Sequence, residues 1–226
     1  MVPRTEAFSG SADTRHFTPV ALSTAARTIA EREKLYLQLM DLRLFQQKSR
    51  STGIGVPWGK LYRAEMLRQN SLTFPPLRRM QDNIFNSYAF ACARKIVYLD
   101  EPLYRYRRDH IAGLKVAPEI RRAVLEARAA FFARHPEHLT PAAEREFYYE
   151  KMRYLGASLK MIAATLSGSE ARAAAKALCE APIYASFLRE KPRWPVPPRY
   201  RLTNMLASLG CYRALLMLAG AKENRR

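Results

Sequence analysis

Apolar residues recur along this chain in short stretches of helical period, interrupted once by a segment that alternates. Ile29, Leu35, Leu39, Leu42 and Phe45 fall at broadly helical spacing, which predicts one long amphipathic helix between Pro19 and Gln47. Residues 1–16 mix Pro, Ser, Gly, Thr and charge without period and are expected to form a mobile tail. Ser, Gly and Pro between Ser49 and Pro57 break the helix and deliver the chain to Trp58. A short helix over Arg63 to Gln69 follows, and Phe74-Pro75-Pro76 stops regular structure from continuing. Between Gln81 and Arg94 the positions Ile84, Phe85, Tyr88, Ala89 and Cys92 form one stripe, which predicts a stronger helix with a buried face. Ile96 to Leu99 predicts a compact strand, Glu101-Pro102 a turn, and the alternation from Leu103 to Arg107 a second, half-buried strand.

Beyond Val116 the pattern is helix after helix: Pro118 to Arg134, Pro141 to Leu166, Ser169 to Glu180, Ile183 to Glu190 and Arg201 to Ala219. Pro118 and Pro141 sit where a first helical turn tolerates proline, and Thr140 is placed to cap the helix that follows it. No repeat of fixed period is present. The expected class is α/β and helix-rich, in three parts: a disordered tail over 1–16, a mixed α/β segment over 17–115, and a helical C-terminal module over 116–226.

Charge adds a constraint that the pattern does not. Thirty-eight Lys and Arg against twenty Asp and Glu give a formal net charge of +18, so anionic partners are expected: nucleic acid, acidic headgroups or phosphorylated small molecules. The cations are scattered over all the helices, and no helix-turn-helix, zinc or RNA-binding signature appears, which counts against nucleic acid. Cys92, Cys179 and Cys211 stand far apart with no CxxC spacing and suit neither a zinc site nor a disulfide framework. No apolar run is long enough to cross a bilayer, and the first thirty residues lack a secretory h-region.

Among candidate chemical groups Asp82 stands out. It is one of only five Asp, lies at a predicted helix start, and is flanked by Gln81, Asn83, Arg78 and Arg79. Helix terminus and arginines are expected to favour its ionised form, making it a proton acceptor or an electrostatic partner, while a plain capping role fits the same position.

Three motifs in series carry a resemblance: PWGKLYRAEML from Pro57, LTFPP from Leu72, and MQDNIFNSYAFACARKIVYLDEPLYRYR from Met80. Together they resemble the second half of the catalytic domain of family 2 glycosyltransferases, inverting enzymes of the GT-A fold that build bacterial surface polysaccharides. The likeness covers about residues 57–108, roughly a quarter of the chain. It implies a partial GT-A-like domain that transfers a sugar from a nucleotide-diphosphate sugar to a glycan or lipid-linked acceptor. Asp82 matches the family's general base, which takes the acceptor hydroxyl's proton as that oxygen attacks the anomeric carbon. Gln81 stands where the family usually has Glu. Trp58, Lys60 and Tyr62 match the acceptor side of the cleft, with Trp58 equally suited to a core anchor. Arg107 and Arg108 fall where related enzymes approach the diphosphate, and His110 is placed to complete a metal shell or to serve structure.

The family's donor-binding half has no counterpart before Trp58, and no Asp-x-Asp occurs anywhere in the sequence. The divalent cation of the intact family, Mn or Mg, is therefore not expected on this chain alone. A truncated product, one piece of a split frame and a diverged non-transferring member all account for that gap, and the strands from Ile96 onward are then expected to expose unpaired edges. The C-terminal helices fit either a plain bundle or a module lying on anionic membrane. The three scattered cysteines fit a reducing, cytoplasmic setting, peripheral to the inner membrane in the second case. The rival function is that of a basic helical nucleic-acid-binding protein without enzymatic activity.

Overall fold

The computed structural model describes residues 2–8, 15–17, 25–26, 29–40, 55–107, 116–191 and 193–220. The chain forms two compact units, one of 1–115 with 127–146 and one of 116–126 with 147–226. The helices from Pro118 and from Pro141 each contribute to both.

The first unit holds β1 (Val2–Phe8), β2 (Arg15–Phe17), β3 (Ala25–Ala26), α1 (Ile29–Met40), α2 (Ala64–Gln69), α3 (Gln81–Cys92) and β4 (Ile96–Arg107). The strands make one mixed sheet in the order β2-β1-β4-β3, with β1 parallel to β4 and the other two pairings antiparallel. Two expectations are corrected here. Val2–Phe8 is a strand rather than part of a tail, and it pairs along one edge of β4 from Tyr98 to Arg107, while β3 pairs with the other edge only at Ile96 and Val97. The turn expected at Glu101-Pro102 is instead an irregularity within one continuous strand: Pro3 pairs with Leu99, but Arg4 pairs with Pro102, leaving two residues bulged out. A bulge accommodates a proline that cannot donate to the ladder.

Of the long helix expected between Pro19 and Gln47, Ile29–Met40 is helical, Ala25–Ala26 is instead the strand β3, and 19–24, 27–28 and 41–47 lie outside the described residues. Leu35, Tyr36, Leu39 and Met40 of α1 and Ile84, Phe85, Ala89 and Phe90 of α3 are buried. Side chains tie off the open ends of both helices. Arg32 of α1 donates to the carbonyls of Phe90, Ala91 and Arg94 at the end of α3, placing a cation where the helix dipole is negative. In return, Asn83 of α3 donates through Nδ2 to the Leu39 carbonyl at the end of α1, at 2.8 Å.

Asn83 is held in turn from α4 (Pro118–Arg134). Arg128, 1% exposed, donates through Nη2 to Asn83 Oδ1 at 2.6 Å and to the Leu39 carbonyl at 3.4 Å. Phe131 packs between Tyr36 and Tyr88, with ring centroids 5.7 and 5.0 Å away.

The second unit is helical: the start of α4, the larger part of α5 (Pro141–Thr165), then α6 (Gly168–Glu180), α7 (Pro182–Arg189), α8 (Pro198–Ser208) and α9 (Tyr212–Gly220). Along α5, Tyr148, Met152, Leu155, Leu159 and Ile162 alternate spacings of four and three and are all buried, which is the stripe that a helix needs to face a core. They meet Ala175 and Leu178 of α6, Tyr184 and Phe187 of α7, Ala207 of α8 and Leu215 of α9. Thr140 caps α5 as expected, its Oγ1 accepting from the Ala143 N–H at 3.3 Å. The single helix expected over Arg201 to Ala219 is two, because Gly210 adopts φ +67 and closes α8 with paired bonds from the Gly210 N–H to the Ala207 carbonyl and from the Cys211 N–H to the Leu206 carbonyl. Among the described residues no helix is long and apolar enough to cross a membrane.

Arg128→Met keeps the side-chain bulk but leaves Asn83 Oδ1 short of its donor, and is expected to lower stability by about 2–4 kcal/mol in urea unfolding. Adding Asn83→Ala should then cost less than Asn83→Ala alone, because both act on one network. Simple additivity would show that the two do not act together. Gly210→Ala forces a side chain into the left-handed region and is expected to cost about 1 kcal/mol in the same assay; no change in the transition would contradict that reading.

Candidate active site

The loop 55–62 is seated directly on the first turn of α3. Gly55 permits the approach: a Cβ there would lie 3.0 Å from Asn83 Nδ2. Its carbonyl accepts from Asn86 Nδ2 at 2.9 Å, and the same amide donates to the Asp82 carbonyl at 3.0 Å. Gly59, at φ +69, then turns the chain, and Lys60 Nζ donates back to the Val56 carbonyl. Tyr62 donates its hydroxyl to Asn86 Oδ1 at 2.6 Å while its ring meets the edge of Phe85, which stacks on Phe74.

Helix α3 begins under strain. Met80, the residue before it, sits at φ 60 and ψ 12, a left-handed conformation that costs a non-glycine residue of order 1 kcal/mol. Asp82 follows in the first turn, half-buried, with Oδ1 accepting from the Asn83 N–H at 2.8 Å. Burial raises its carboxyl above the usual carboxylate range, against the opposing pull of backbone N–H groups and of Lys60. The net direction is opposite to the one expected from helix terminus and arginines. Desolvation outweighs the terminus, and the cation that acts on Asp82 is Lys60.

Burial pushes the Lys60 ammonium down to about 7, with the Asp82 carboxylate resisting. The Tyr62 phenol is driven well above its ordinary value, first by burial and then by the charge of Asp82, so it remains a neutral donor. Asp82, Lys60 and Tyr62 therefore form one electrostatically coupled group. A carboxylate of raised proton affinity beside an amine that is about half charged near neutrality can accept and return a proton.

Beside them opens a cleft of about 530 Å³, lined by Lys60 and Tyr62 from the loop, by Met66 and Asn70 of the α2 side, and by Phe90 and Cys92 of α3. Trp58 is half-buried in the turn and does not line the cleft, and neither does Asp82. Arg107 ends β4, where its backbone pairs with Phe8, while Arg108 and His110 lie outside the described residues. Among the described residues no group of three His, Cys, Asp or Glu could hold a metal ion. Asp82, with an ammonium as its charged neighbour, is a poor cation ligand.

Sequence reasoning missed Asn86 and Arg128. Asn86 stands four residues after Asp82 and hence on the same face of α3, a spacing visible in the sequence. Arg128, 45 residues from Asn83, offered no such signal.

Over 96 residues the chain is 35% identical to a protein of Bacillus subtilis (strain 168) named "Putative glycosyltransferase EpsH". The match takes in 39% of this chain and 26% of that protein, so the chain spans well under two thirds of its relative. It relates part of this chain to a protein named "Putative glycosyltransferase". No family model matches, and no solved structure matches.

Lys60 is expected to titrate with a midpoint near 7 when followed by its ¹³Cε chemical shift. In Asp82→Asn the midpoint should fall further, because the carboxylate that favours the charged amine is gone. The sign for stability is equally definite. The folded value lies below the unfolded one, so the cost of burying the ammonium is complete below pH 7 and is relieved as pH rises from about 7 towards the ordinary lysine value. A midpoint of an ordinary exposed lysine would refute the arrangement.

Proposed function

We propose that this chain is the acceptor-side part of an inverting family 2 glycosyltransferase of GT-A type, acting on a glycan or lipid-linked acceptor with a nucleotide-diphosphate sugar as donor. The observation that carries this reading is Asp82, half-buried and raised in proton affinity, on the turn of α3 that also seats the loop bearing Lys60 and Tyr62. The relationship to a protein named as a glycosyltransferase supports it.

In this reading Asp82 accepts the proton of the acceptor hydroxyl as that oxygen attacks the anomeric carbon. Protonated Lys60 favours the ionised form of Asp82 before the attack, and Asn86 Oδ1 takes the proton of the Tyr62 hydroxyl, which leaves its oxygen to accept beside the acceptor. The bonds that balance are the new glycosidic bond and the broken bond to the nucleotide diphosphate, which leaves with its electron pair. Inversion follows from a single in-line displacement. The described residues do not fit the divalent cation of the family, and no step here is routed through one.

Transfer from radiolabelled UDP-sugars to lipid-linked glycan is the direct measurement. In the intact enzyme, with the donor-binding half supplied, Asp82→Asn is expected to lower turnover by about 10²–10⁴-fold while acceptor binding stays within a few-fold. Equal turnover by the variant would remove Asp82 from the reaction. Calorimetric titration of the chain with UDP and Mn²⁺ is expected to show no binding, and tight binding would place the donor half here after all.

A further inference from the structure

The cleft beside Lys60 is electrically one-sided. Lys60, Arg63, Arg94 and Lys95 stand on its lining, and Glu65 is the acid among them. Glu65 accepts from Gln69 Nε2 at 3.1 Å, a neighbour one helical turn away. Arg63, Arg94 and Lys95 are exposed, and among the described residues no carboxylate pairs with them. Three cationic side chains therefore line one space, with the chargeable amine of Lys60 in its wall.

Two helix ends reach this cleft with their carbonyls, which by themselves would repel an anion. Both are already occupied. At the end of α2, Asn70 Nδ2 donates to the Met66 carbonyl at 2.8 Å and the Leu72 N–H donates to the Leu67 carbonyl at 2.9 Å. At the end of α3, the guanidinium of Arg32 takes the carbonyls of Phe90, Ala91 and Arg94. The negative ends are thus tied off, and the side-chain cations set the sign of the field. Leu61, 73% exposed, and Met66 add an apolar flank of the sort that lies against a sugar ring.

We propose that this cleft is an oxyanion-binding site whose ligand is a saccharide carrying a phosphate or carboxylate, held by Arg63, Arg94 and Lys95. That this ligand is the acceptor rests on the transfer reading above; that the cleft binds it does not. A volume of about 530 Å³ suits one or two sugar rings with the charged group. Forked guanidinium donors and a mobile ammonium suit either oxyanion. The groups facing Lys60 are Asp82 of α3, its neighbour Tyr62, and Arg63, Glu65, Arg94 and Lys95 around the cleft. An arriving anion favours the charged amine, so binding at pH 7.5 draws in a proton.

Calorimetry on the full chain with glucose 1-phosphate, glucuronate and glucose tests this. Both anionic sugars should bind at least about tenfold more tightly than glucose, weaken as salt rises, and lose about three- to tenfold with each of Arg63→Gln, Arg94→Gln and Lys95→Gln. These three side chains are exposed, and unchanged thermal unfolding of the variants confirms that the fold is intact. For glucuronate, whose own carboxylate does not titrate here, runs in buffers of different ionisation enthalpy should show net proton uptake, diminished in Lys60→Met. Equal affinity for glucose and its anionic counterparts would overturn the proposal. So would binding to phosphatidylglycerol vesicles with none to the soluble sugars, since the cations would then belong to a membrane surface. Asp82→Asn leaves the three cations in place and should retain anion binding, so a failed transfer reaction and a failed binding site give different results.

Discussion

The first unit depends on one buried polar junction. Arg128 enters the core with its guanidinium and meets Asn83 Oδ1 and the Leu39 carbonyl, while Asn83 Nδ2 meets that same carbonyl. Removing a guanidinium from water is costly, and hydrogen bonds of this quality offset the cost only when they are all made. The junction therefore tolerates little displacement of α1, α3 or the C-terminal part of α4. It occupies the first turn of α3, one residue from Asp82, so the requirement that stabilises the core also fixes where the candidate base stands.

Low local polarity is the second consequence. The loop 55–62 lies against the same turn, close enough that Gly55 has little room for a side chain, and it partly excludes water from Lys60 and Tyr62. Three groups that would be inert in water at neutral pH become coupled. The carboxyl rises, the amine falls, and the phenol is kept neutral. The left-handed Met80 belongs to the same design, since strain at the entry to α3 is held by the bonds that Asn83 and Asn86 make to the surrounding backbone.

The helices were legible in the sequence because each carries its own stripe and its own punctuation. Proline at the start of the Pro118 and Pro141 helices and the period of Tyr148, Met152, Leu155, Leu159 and Ile162 are local signals. What failed was non-local or depended on a single backbone angle. Val2–Phe8 pairs along its whole length with β4, almost a hundred residues away, and nothing within its own charged, proline-containing stretch announces that. Gly210 lies inside an apolar helical pattern, and the pattern outvotes it unless its positive φ is known. For the candidate site, the motif brought Asp82, Lys60 and Tyr62 to notice, and their electrostatic coupling is shown by packing, but the sign of the Asp82 shift was not legible. Helix ends and nearby arginines are visible in a sequence, whereas desolvation is a property of packing.

The coupling of Lys60 to Asp82 gives the two proposals a common logic. An oxyanion in the cleft stands nearer Lys60, which lines it, than Asp82, which does not. Its main effect is to favour the protonated amine, and a protonated amine lowers the proton affinity of Asp82 towards the ionised form that a general base requires. With the cleft empty near neutral pH, the amine is uncharged in about half of the molecules and Asp82 is correspondingly less acidic. Occupancy by a charged saccharide would thus lower the proton affinity of Asp82, without any movement of the backbone. A neutral sugar would leave the pair as it was, so discrimination between the two would arise in the readiness of Asp82 as well as in affinity.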